Sequence, residues 1–192
     1  MPVDTEPEID WDSLTFSFTQ TDRMYMAKCK IGGDWEKGIM KDYEDLVISP
    51  AAGVLNYGQG LFEGLKAQRA SDGSIVLFRP QQNARRAQEG AKRLGMPPVP
   101  EEMFLDAVIS AVRENSRWVP PMGKGALYIR PLLMGSGPIL GVAPAPEYTF
   151  LVFTSPVGPY FKGGITPTSL RVSDEFHRAA PGGSGGVKAI GN

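Results

Sequence analysis

The stretch Leu65-Lys66-Ala67-Gln68-Arg69, followed after Asp72-Gly73 by Ser74-Ile75-Val76-Leu77-Phe78, decides the fold class. Both runs have the composition of a β-strand, and Asp-Gly is a dipeptide that closes tight hairpin turns. Because a hairpin joins antiparallel neighbours, the sheet that contains these two strands is expected to be antiparallel here.

Further strands are predicted on either side of this hairpin. Residues 148–153 are the best candidate for a central strand, since they form a short apolar and β-branched or aromatic run. Residues 126–130 form a strand that Pro131 interrupts, and a residue without an N–H group suggests a sheet edge or a bulge. The other predicted strands are residues 24–31 and 169–172.

Two helices are predicted between the hairpin and the later strands. The first begins after Arg79 at Pro80, where a missing N–H costs little, and ends before Gly95. The second begins at Pro100 and ends by Trp118. Their apolar faces are Ala84, Ala87, Ala91 and Leu94 in the first and Phe104, Ala107, Val108, Ala111 and Val112 in the second. The predicted fold class is therefore α/β (α+β), with mostly antiparallel strands and two helices.

The composition excludes several classes of protein. The 192 residues include 20 Lys and Arg against 21 Asp and Glu, so no basic excess points to nucleic acid or to an anionic membrane. No apolar run reaches the roughly 18 residues of a membrane span. Cys29 is the only cysteine and His177 the only histidine, which excludes an intrachain disulfide and argues against a metal site of the usual zinc ligands.

The most unusual segment for its chemistry is Gly182-Gly183-Ser184-Gly185-Gly186-Val187-Lys188. Glycines let backbone N–H groups approach an anion, but the segment lacks the Gly-Lys-Ser/Thr order of a nucleotide-binding loop. Lys188 is a candidate nucleophile for a Schiff base, with a solvated lysine on a loose tail as the alternative. Arg86 is a candidate phosphate ligand, with a solvated surface charge as the alternative.

Arg130 and a group of aromatic residues are candidates for binding a substrate. Arg130 lies inside an apolar strand, where a buried guanidinium needs an anionic partner such as a substrate carboxylate. The aromatic residues flank turns and glycines, where they can line an apolar pocket, and ordinary core packing is the alternative for each of them. They include Tyr57, Phe62, Tyr128 and Tyr160.

Five motifs, in this order, resemble the plant-type branched-chain-amino-acid aminotransferases of the fold-type IV group. Each motif is weak alone, but the ordered set is highly specific and runs from about residue 10 to the end of the chain. The motifs are Leu55-Asn56-Tyr57-Gly58-Gln59-Gly60-Leu61-Phe62-Glu63-Gly64-Leu65-Lys66; Leu77-Phe78-Arg79-Pro80 with Asn83 and Arg86; Leu127-Tyr128-Ile129-Arg130-Pro131; Thr154-Ser155-Pro156-Val157-Gly158-Pro159-Tyr160; and Gly182 to Lys188.

This resemblance implies a homodimeric enzyme that uses pyridoxal 5′-phosphate (PLP). Lys188 would bond covalently to PLP and move the proton between the substrate Cα and the cofactor C4′. Arg86 would bind the phosphate, and Arg130 would lie near the substrate carboxylate. The implied reaction passes the amino group of Leu, Ile or Val to 2-oxoglutarate, which gives a branched 2-oxo acid and glutamate. The pocket for the branched side chain would be lined by Tyr57, Phe62, Tyr128 and Tyr160.

The resemblance also implies a division of the chain. Residues 1–22 would be an acidic N-terminal arm, residues 23–163 the small α/β domain, and residues 164–192 the interdomain loop and the truncated start of the large PLP-binding domain. The family places a tyrosine directly after the asparagine that is Asn192 here, and the glutamate that faces the pyridine nitrogen further on. The chain therefore looks truncated, and little activity is expected from it alone.

Two alternatives stay open at this point. One is a D-amino-acid aminotransferase or an aminodeoxychorismate-lyase-like enzyme of the same fold. The other is an inactive short isoform that pairs with a full-length subunit.

The N-terminal sequence predicts a cytoplasmic location. It carries five acidic residues among its first twelve and no basic residue before Arg23, whereas transit peptides are rich in arginine and secretory signals need an apolar core. A plastid or a mitochondrion stays open if Met1 follows a removed leader.

Overall fold

The structure is a computed structural model that describes residues 7–159 and 167–191. Within these ranges the chain forms, in order, β1 (Arg23–Lys30), β2 (Ile39–Asp42), α1 (Gly53–Tyr57), β3 (Gly60–Phe62), β4 (Leu65–Arg69), β5 (Ile75–Leu77), α2 (Pro80–Arg93), α3 (Glu101–Glu114), a 3-10 turn (Ser116–Trp118), β6 (Ala126–Gly135) and β7 (Glu147–Val157). The seven strands of the described part form one sheet in the order β2-β1-β7-β6-β4-β5, and β3 also pairs with β6. All of these pairings are antiparallel.

The two long strands β6 and β7 lie side by side and position the rest of the sheet. The expected central strand is confirmed, because β7 lies between β1 and β6. Side chains alternate between the two faces of a strand, and Tyr148, Phe150 and Val152 of β7 all belong to the core on the helix face. On that face α3 places Phe104 against Phe150, with ring centroids 5.8 Å apart.

The hairpin and both predicted helices are confirmed. β4 and β5 pair around a turn in which Ala70 N–H donates to the Ser74 carbonyl at 2.8 Å and Gly73 has φ +84°. The alanine side of α2 is buried where the 3.6-residue period predicts it, and so is the apolar side of α3. The sequence predicted two helices but missed a short third one, Gly53–Tyr57. Gly58, in the left-handed conformation, ends this helix.

The prediction of an edge or a bulge at Pro131 is wrong, because β6 runs through this residue in the interior of the sheet. In an antiparallel strand the N–H and C=O groups of one residue point to the same side. The Pro131 carbonyl accepts a bond of 2.8 Å from the Glu63 N–H, in the gap between the end of β3 and the start of β4. Pro131 lies opposite Glu63 in the same register as the pairs on either side, so its missing N–H leaves one ladder bond unmade between β3 and β4.

The predicted strand over residues 169–172 is also wrong. The segment has no regular secondary structure, and Leu170 and Val172 are exposed. A β-strand needs a neighbour for its backbone hydrogen bonds, and no strand in the described ranges pairs with this segment. Alternating apolar residues alone could not reveal that a partner is lacking.

Asn115, the residue after α3, joins this helix to the start of β1. Its side chain is fully buried, and its Oδ1 accepts the N–H groups of Asp22 and Arg23 at 3.0 Å each. Its Nδ2 donates to the carbonyls of Arg23 and Ala111 at 2.9 and 2.8 Å. Two of these partners are backbone N–H groups at the start of a strand, which need an acceptor when they are taken out of water.

Asn115→Ala is therefore expected to lower the free energy of unfolding by about 3–5 kcal/mol, since each buried group left without a partner costs about 1–3 kcal/mol. Urea unfolding followed by circular dichroism measures this loss. The matched control is Ser116→Ala, next in the chain and half-buried, which is expected to change the same free energy by less than about 0.5 kcal/mol. An equal loss in the two variants would show that the Asn115 hydrogen bonds have no special weight.

Candidate active site

The segment that contains Lys188 is fixed to the edge of β3. The Phe62 N–H donates to the Lys188 carbonyl at 3.1 Å, and the Ile190 N–H donates to the Gly60 carbonyl at 3.0 Å. A Cβ atom on Gly60 would lie only 2.3 Å from the Ile190 side chain, so the absence of a side chain at Gly60 permits this close approach. The lysine thus follows the glycine-rich segment on a backbone held by hydrogen bonds.

Two cationic side chains lie against the same aromatic ring. The Lys188 Nζ is 4.3 Å from the centroid of the Phe62 ring, and the Arg130 Cζ is 4.5 Å from it. Within the described ranges neither cation forms a salt bridge with a carboxylate. Two like charges that share a ring but lack an acidic partner form a positive site suited to an anion.

Arg130 is incompletely satisfied. Its Nη2 donates to the Tyr128 hydroxyl at 2.9 Å, but its Nε is buried and has no hydrogen-bond partner among the described residues. Such an atom costs about 1–3 kcal/mol when it stays unpaired. An anionic ligand that accepts from this nitrogen would remove the cost.

The strand period explains why Tyr128 and Arg130 face the same way. Leu127 and Ile129 belong to the core under the helices, so the residues that alternate with them point to the opposite face of the sheet. Tyr128 comes close to the loop after β3, where a Cβ atom on Gly64 would lie 2.4 Å from its hydroxyl oxygen. A side chain at Gly64 would therefore displace the tyrosine that binds Arg130.

A cavity of about 390 Å³ opens beside Arg130 and Tyr128 on this face. The N-terminal arm covers part of it, with the Phe16 ring packed edge-on against Tyr128 at a centroid distance of 5.4 Å. This contribution was missed from the sequence, although the alternation of apolar residues in the arm was a usable signal. The remaining lining residues are Ser17, Phe18, Tyr43, Phe153, Ser155 and Val157.

Arg86 lies on α2 and forms a two-point ion pair with Glu63, the residue directly after Phe62. Its Nε and Nη2 each donate to one Glu63 carboxylate oxygen at 2.6 Å. The pKa of Arg86 is raised above its ordinary value, because these hydrogen bonds from the cation to the carboxylate outweigh the opposing effect of burial. Glu63 was not singled out from the sequence, where its only signal was an acidic residue inside an apolar run.

Four of the seven predicted site residues come together in the structure: Lys188, Phe62, Tyr128 and Arg130. Arg86 is linked to this group through Glu63. Tyr57 is exposed on α1 and donates its hydroxyl hydrogen to the Leu140 carbonyl, so no contact joins it to the group. Tyr160 lies outside the described residues.

The described ranges contain neither a candidate metal site nor a candidate membrane-spanning helix. No group of three or more His, Cys, Asp or Glu residues there could hold a metal ion. No helix there is both long enough and apolar enough to cross a membrane. The single cysteine, Cys29, is buried in β1 opposite Tyr148 of β7, and burial raises the pKa of its thiol.

The amino-acid sequence is similar to plant branched-chain aminotransferases. It is 60% identical over 185 residues to branched-chain-amino-acid aminotransferase 5, chloroplastic, of Arabidopsis thaliana, a match that covers 96% of this chain and 45% of the relative. It is 57% identical over 189 residues to branched-chain amino acid aminotransferase 1, mitochondrial, of Humulus lupulus, covering 98% and 48%. The chain spans about half the length of the curated relatives it matches. The predicted resemblance is confirmed, although no family model matches the chain.

Solved structures confirm the predicted fold class. The branched-chain aminotransferase of Thermoproteus uzoniensis with norvaline matches with a TM-score of 0.56 and 26% identity, over 72% of this chain and 43% of that chain. A second branched-chain amino acid aminotransferase, complexed with N-(5′-phosphopyridoxyl)-L-glutamate, matches with a TM-score of 0.51 and 26% identity, over 70% and 41%. This second structure thus carries a phosphopyridoxyl group.

The prediction of a cytoplasmic location is contradicted. The two plant relatives named above are a chloroplastic and a mitochondrial protein. The acidic N-terminal residues, from which the prediction was drawn, do not outweigh this similarity.

Proposed function

Because this chain is a relative of the plant branched-chain-amino-acid aminotransferases, we propose that it supplies the reactive lysine and much of the substrate site of such an enzyme. The proposed reaction is PLP-dependent transamination of Leu, Ile or Val with 2-oxoglutarate. The observation that carries the proposal is the placement of Lys188 and Arg130 against the Phe62 ring with no carboxylate partner in the described ranges. This pair fits an anionic substrate and a covalently held cofactor.

PLP fits the residues present. Lys188 would supply the amine that holds the cofactor, on a backbone fixed to β3. Arg86 has five N–H donors and uses two of them on Glu63, which leaves three for a phosphate. When bound, the cofactor supplies an electron sink for the substrate Cα, and the protein supplies position and charge.

The chain's own residues would act on the substrate as follows. Arg130 binds the carboxylate through its guanidinium, which has no acidic partner in the described ranges, and Tyr128 holds the guanidinium in place from Nη2. The aromatic cavity beside them takes the branched aliphatic side chain and excludes water from it. Lys188 would supply the amine that moves the proton between the substrate Cα and the cofactor C4′.

The proposal for the side-chain pocket retains Phe62, Tyr128, Tyr57 and Tyr160 from the sequence. Phe62 and Tyr128 have support, since Arg130 contacts both rings. Tyr57, on α1, and Tyr160 are retained on the resemblance alone. Assembly as a homodimer and a location in a chloroplast or mitochondrion also belong to this proposal.

The decisive experiment is an assay on two proteins, because the chain spans about half the length of its relatives. The first is the isolated chain, from which little turnover is expected. The second is a chimaera in which this chain replaces the matching segment of the Arabidopsis aminotransferase 5. We expect the chimaera to transfer amino groups from L-leucine, L-isoleucine and L-valine to 2-oxoglutarate.

A substrate panel separates the proposal from its alternatives. Preference of the chimaera for D-alanine or aminodeoxychorismate would favour the other enzymes of this fold and reject the branched-chain assignment. Co-purification of the inactive isolated chain with the full-length Arabidopsis enzyme would favour a pairing isoform. A chimaera that folds, binds PLP and transaminates none of the three substrates would contradict the proposed reaction.

A further inference from the structure

The carboxylate of Glu63 is buried beneath the exposed side of Arg86. Its side chain is 1% exposed, whereas that of Arg86 is 56% exposed. Both carboxylate oxygens accept from Arg86, and Oε2 also accepts from Asn83 Nδ2 at 2.8 Å. Asn83 and Arg86 both lie on α2, so one glutamate is held by two side chains of the same helix.

Stability alone does not account for a carboxylate at this position. An ion pair with one exposed partner contributes little, and a buried charge loses its hydration on folding. Two parallel hydrogen bonds nevertheless fix the plane of a guanidinium, which is otherwise carried on a long flexible stem. The physical effect of Glu63 is therefore to orient Arg86.

The orientation leaves one edge of the guanidinium available. Glu63 occupies Nε and one N–H of Nη2, so both N–H groups of Nη1 and the second of Nη2 remain. None of these three has a hydrogen-bond partner in the described ranges. Two of them lie parallel on the end of the guanidinium, which is the geometry that binds two phosphate oxygens.

Resting on the proposed function, we infer that Glu63 is a positioning residue that, with Asn83, holds Arg86 so that its free edge binds the cofactor phosphate. The direction in which phosphate affinity changes when Glu63 is replaced tests this inference. Glu63 also neutralises Arg86, so if charge alone governed binding, its removal would strengthen the attraction for a phosphate. If orientation governs binding, its removal weakens the attraction.

The test compares the dissociation constants of PLP and of pyridoxal, which lacks the phosphate. The ratio of the two constants reports the phosphate contribution and is insensitive to a general loss of structure that weakens both ligands alike. Glu63→Gln, which keeps the size of the side chain, is expected to reduce the preference for PLP about tenfold or more, as for the loss of a hydrogen bond to a charged group. The affinity for pyridoxal should change by less than about twofold.

The matched control is another two-point pair among the described residues, Arg117 with Asp22. Arg117 donates from Nε and Nη2 to the two Asp22 oxygens at 2.7 Å each, at the end of the sheet near α3. Asp22→Asn is expected to leave the preference for PLP over pyridoxal unchanged. Asn83→Leu, which removes the other bond to Glu63, should lower this preference about threefold and serves as the readout if Glu63→Gln does not fold.

The measurement is made on the isolated chain and, where its affinity for pyridoxal is too low to detect, on the chimaera. If Arg86→Lys leaves the preference for PLP at its original value, the proposed phosphate role of Arg86 fails. If Arg86→Lys lowers the preference but Glu63→Gln leaves it unchanged or raises it, the positioning role of Glu63 alone is overturned. The positioning role of Glu63 is supported if the preference for PLP over pyridoxal falls in Glu63→Gln and does not fall in Asp22→Asn.

Discussion

Lys188→Ala is expected to lower kcat/KM of the chimaera for leucine by about four orders of magnitude or more. The change removes both the amine that bonds to the cofactor and the base that moves the proton at the substrate Cα. Proton transfer by a positioned side chain contributes about 10²–10⁴-fold by itself, and loss of the covalent step adds to this. A second readout is covalent: borohydride treatment should add the mass of the cofactor to the Lys188 peptide, and the variant should lack this addition.

The fold should survive this substitution. The Lys188 backbone, which holds the segment to β3 through the Phe62 N–H, is unchanged by it. The lost contact between the amine and the Phe62 ring is worth about 0.5–1 kcal/mol at a partly exposed site. A small shift in the thermal midpoint, together with the loss of turnover, would separate a chemical role from unfolding.

The control for this prediction is Lys92→Ala. Lys92 lies on the exposed side of α2 and pairs with Glu89 at 2.8 Å, three residues earlier in the helix. Its replacement is expected to leave kcat/KM within about twofold. Retention of more than a tenth of the activity in Lys188→Ala would contradict the assignment of the reactive amine.

The parts of the fold that depend on local signals could be predicted from the sequence. The turn at Asp72-Gly73 needs only its own dipeptide, and the start of α2 at Pro80 needs only a fixed φ. Pro131 shows where local reasoning ends. Its effect depends on which residue lies opposite it in the sheet, and this residue, Glu63, is about 70 residues away in the sequence.

The residues of the candidate site also differ in whether local sequence could predict them. Lys188 and Arg130 could be singled out because a lysine after a glycine-rich run and an arginine in an apolar strand are locally unusual. Glu63 and Phe16 were not assigned, because their roles depend on contacts with Arg86 and Tyr128 across the fold. Their residue types alone predict a surface acid and an ordinary apolar side chain.

Arg130→Met is expected to lower kcat/KM of the chimaera for leucine by about 10²–10³-fold. The variant keeps much of the volume of the side chain but loses the charge that the substrate carboxylate needs. A hydrogen bond to a charged group contributes about 1.5–3 kcal/mol, and a tenfold change in kcat/KM corresponds to about 1.4 kcal/mol, so one or two such bonds account for the fall. The comparison of leucine with isoamylamine, which has the same side chain but no carboxylate, should show the loss for leucine alone.

The same substitution is expected to leave the stability of the unliganded chain unchanged or to raise it. Loss of the contacts between the guanidinium and the rings of Phe62 and Tyr128 costs about 0.5–1 kcal/mol each. Removal of the buried, unpartnered Nε returns about 1–3 kcal/mol. Urea unfolding of the chain without ligand measures the balance between these terms.

Tyr128→Phe is the matched control, because it removes only the hydroxyl that Arg130 donates to. It is expected to lower kcat/KM by less than about tenfold, since the guanidinium keeps its charge and its place on the Phe62 ring. A large fall in the stability of Arg130→Met with an unchanged preference for leucine over isoamylamine would identify Arg130 as a structural residue. Opposite changes in stability and activity would instead mean that the fold carries an unpaired guanidinium because the substrate carboxylate completes it.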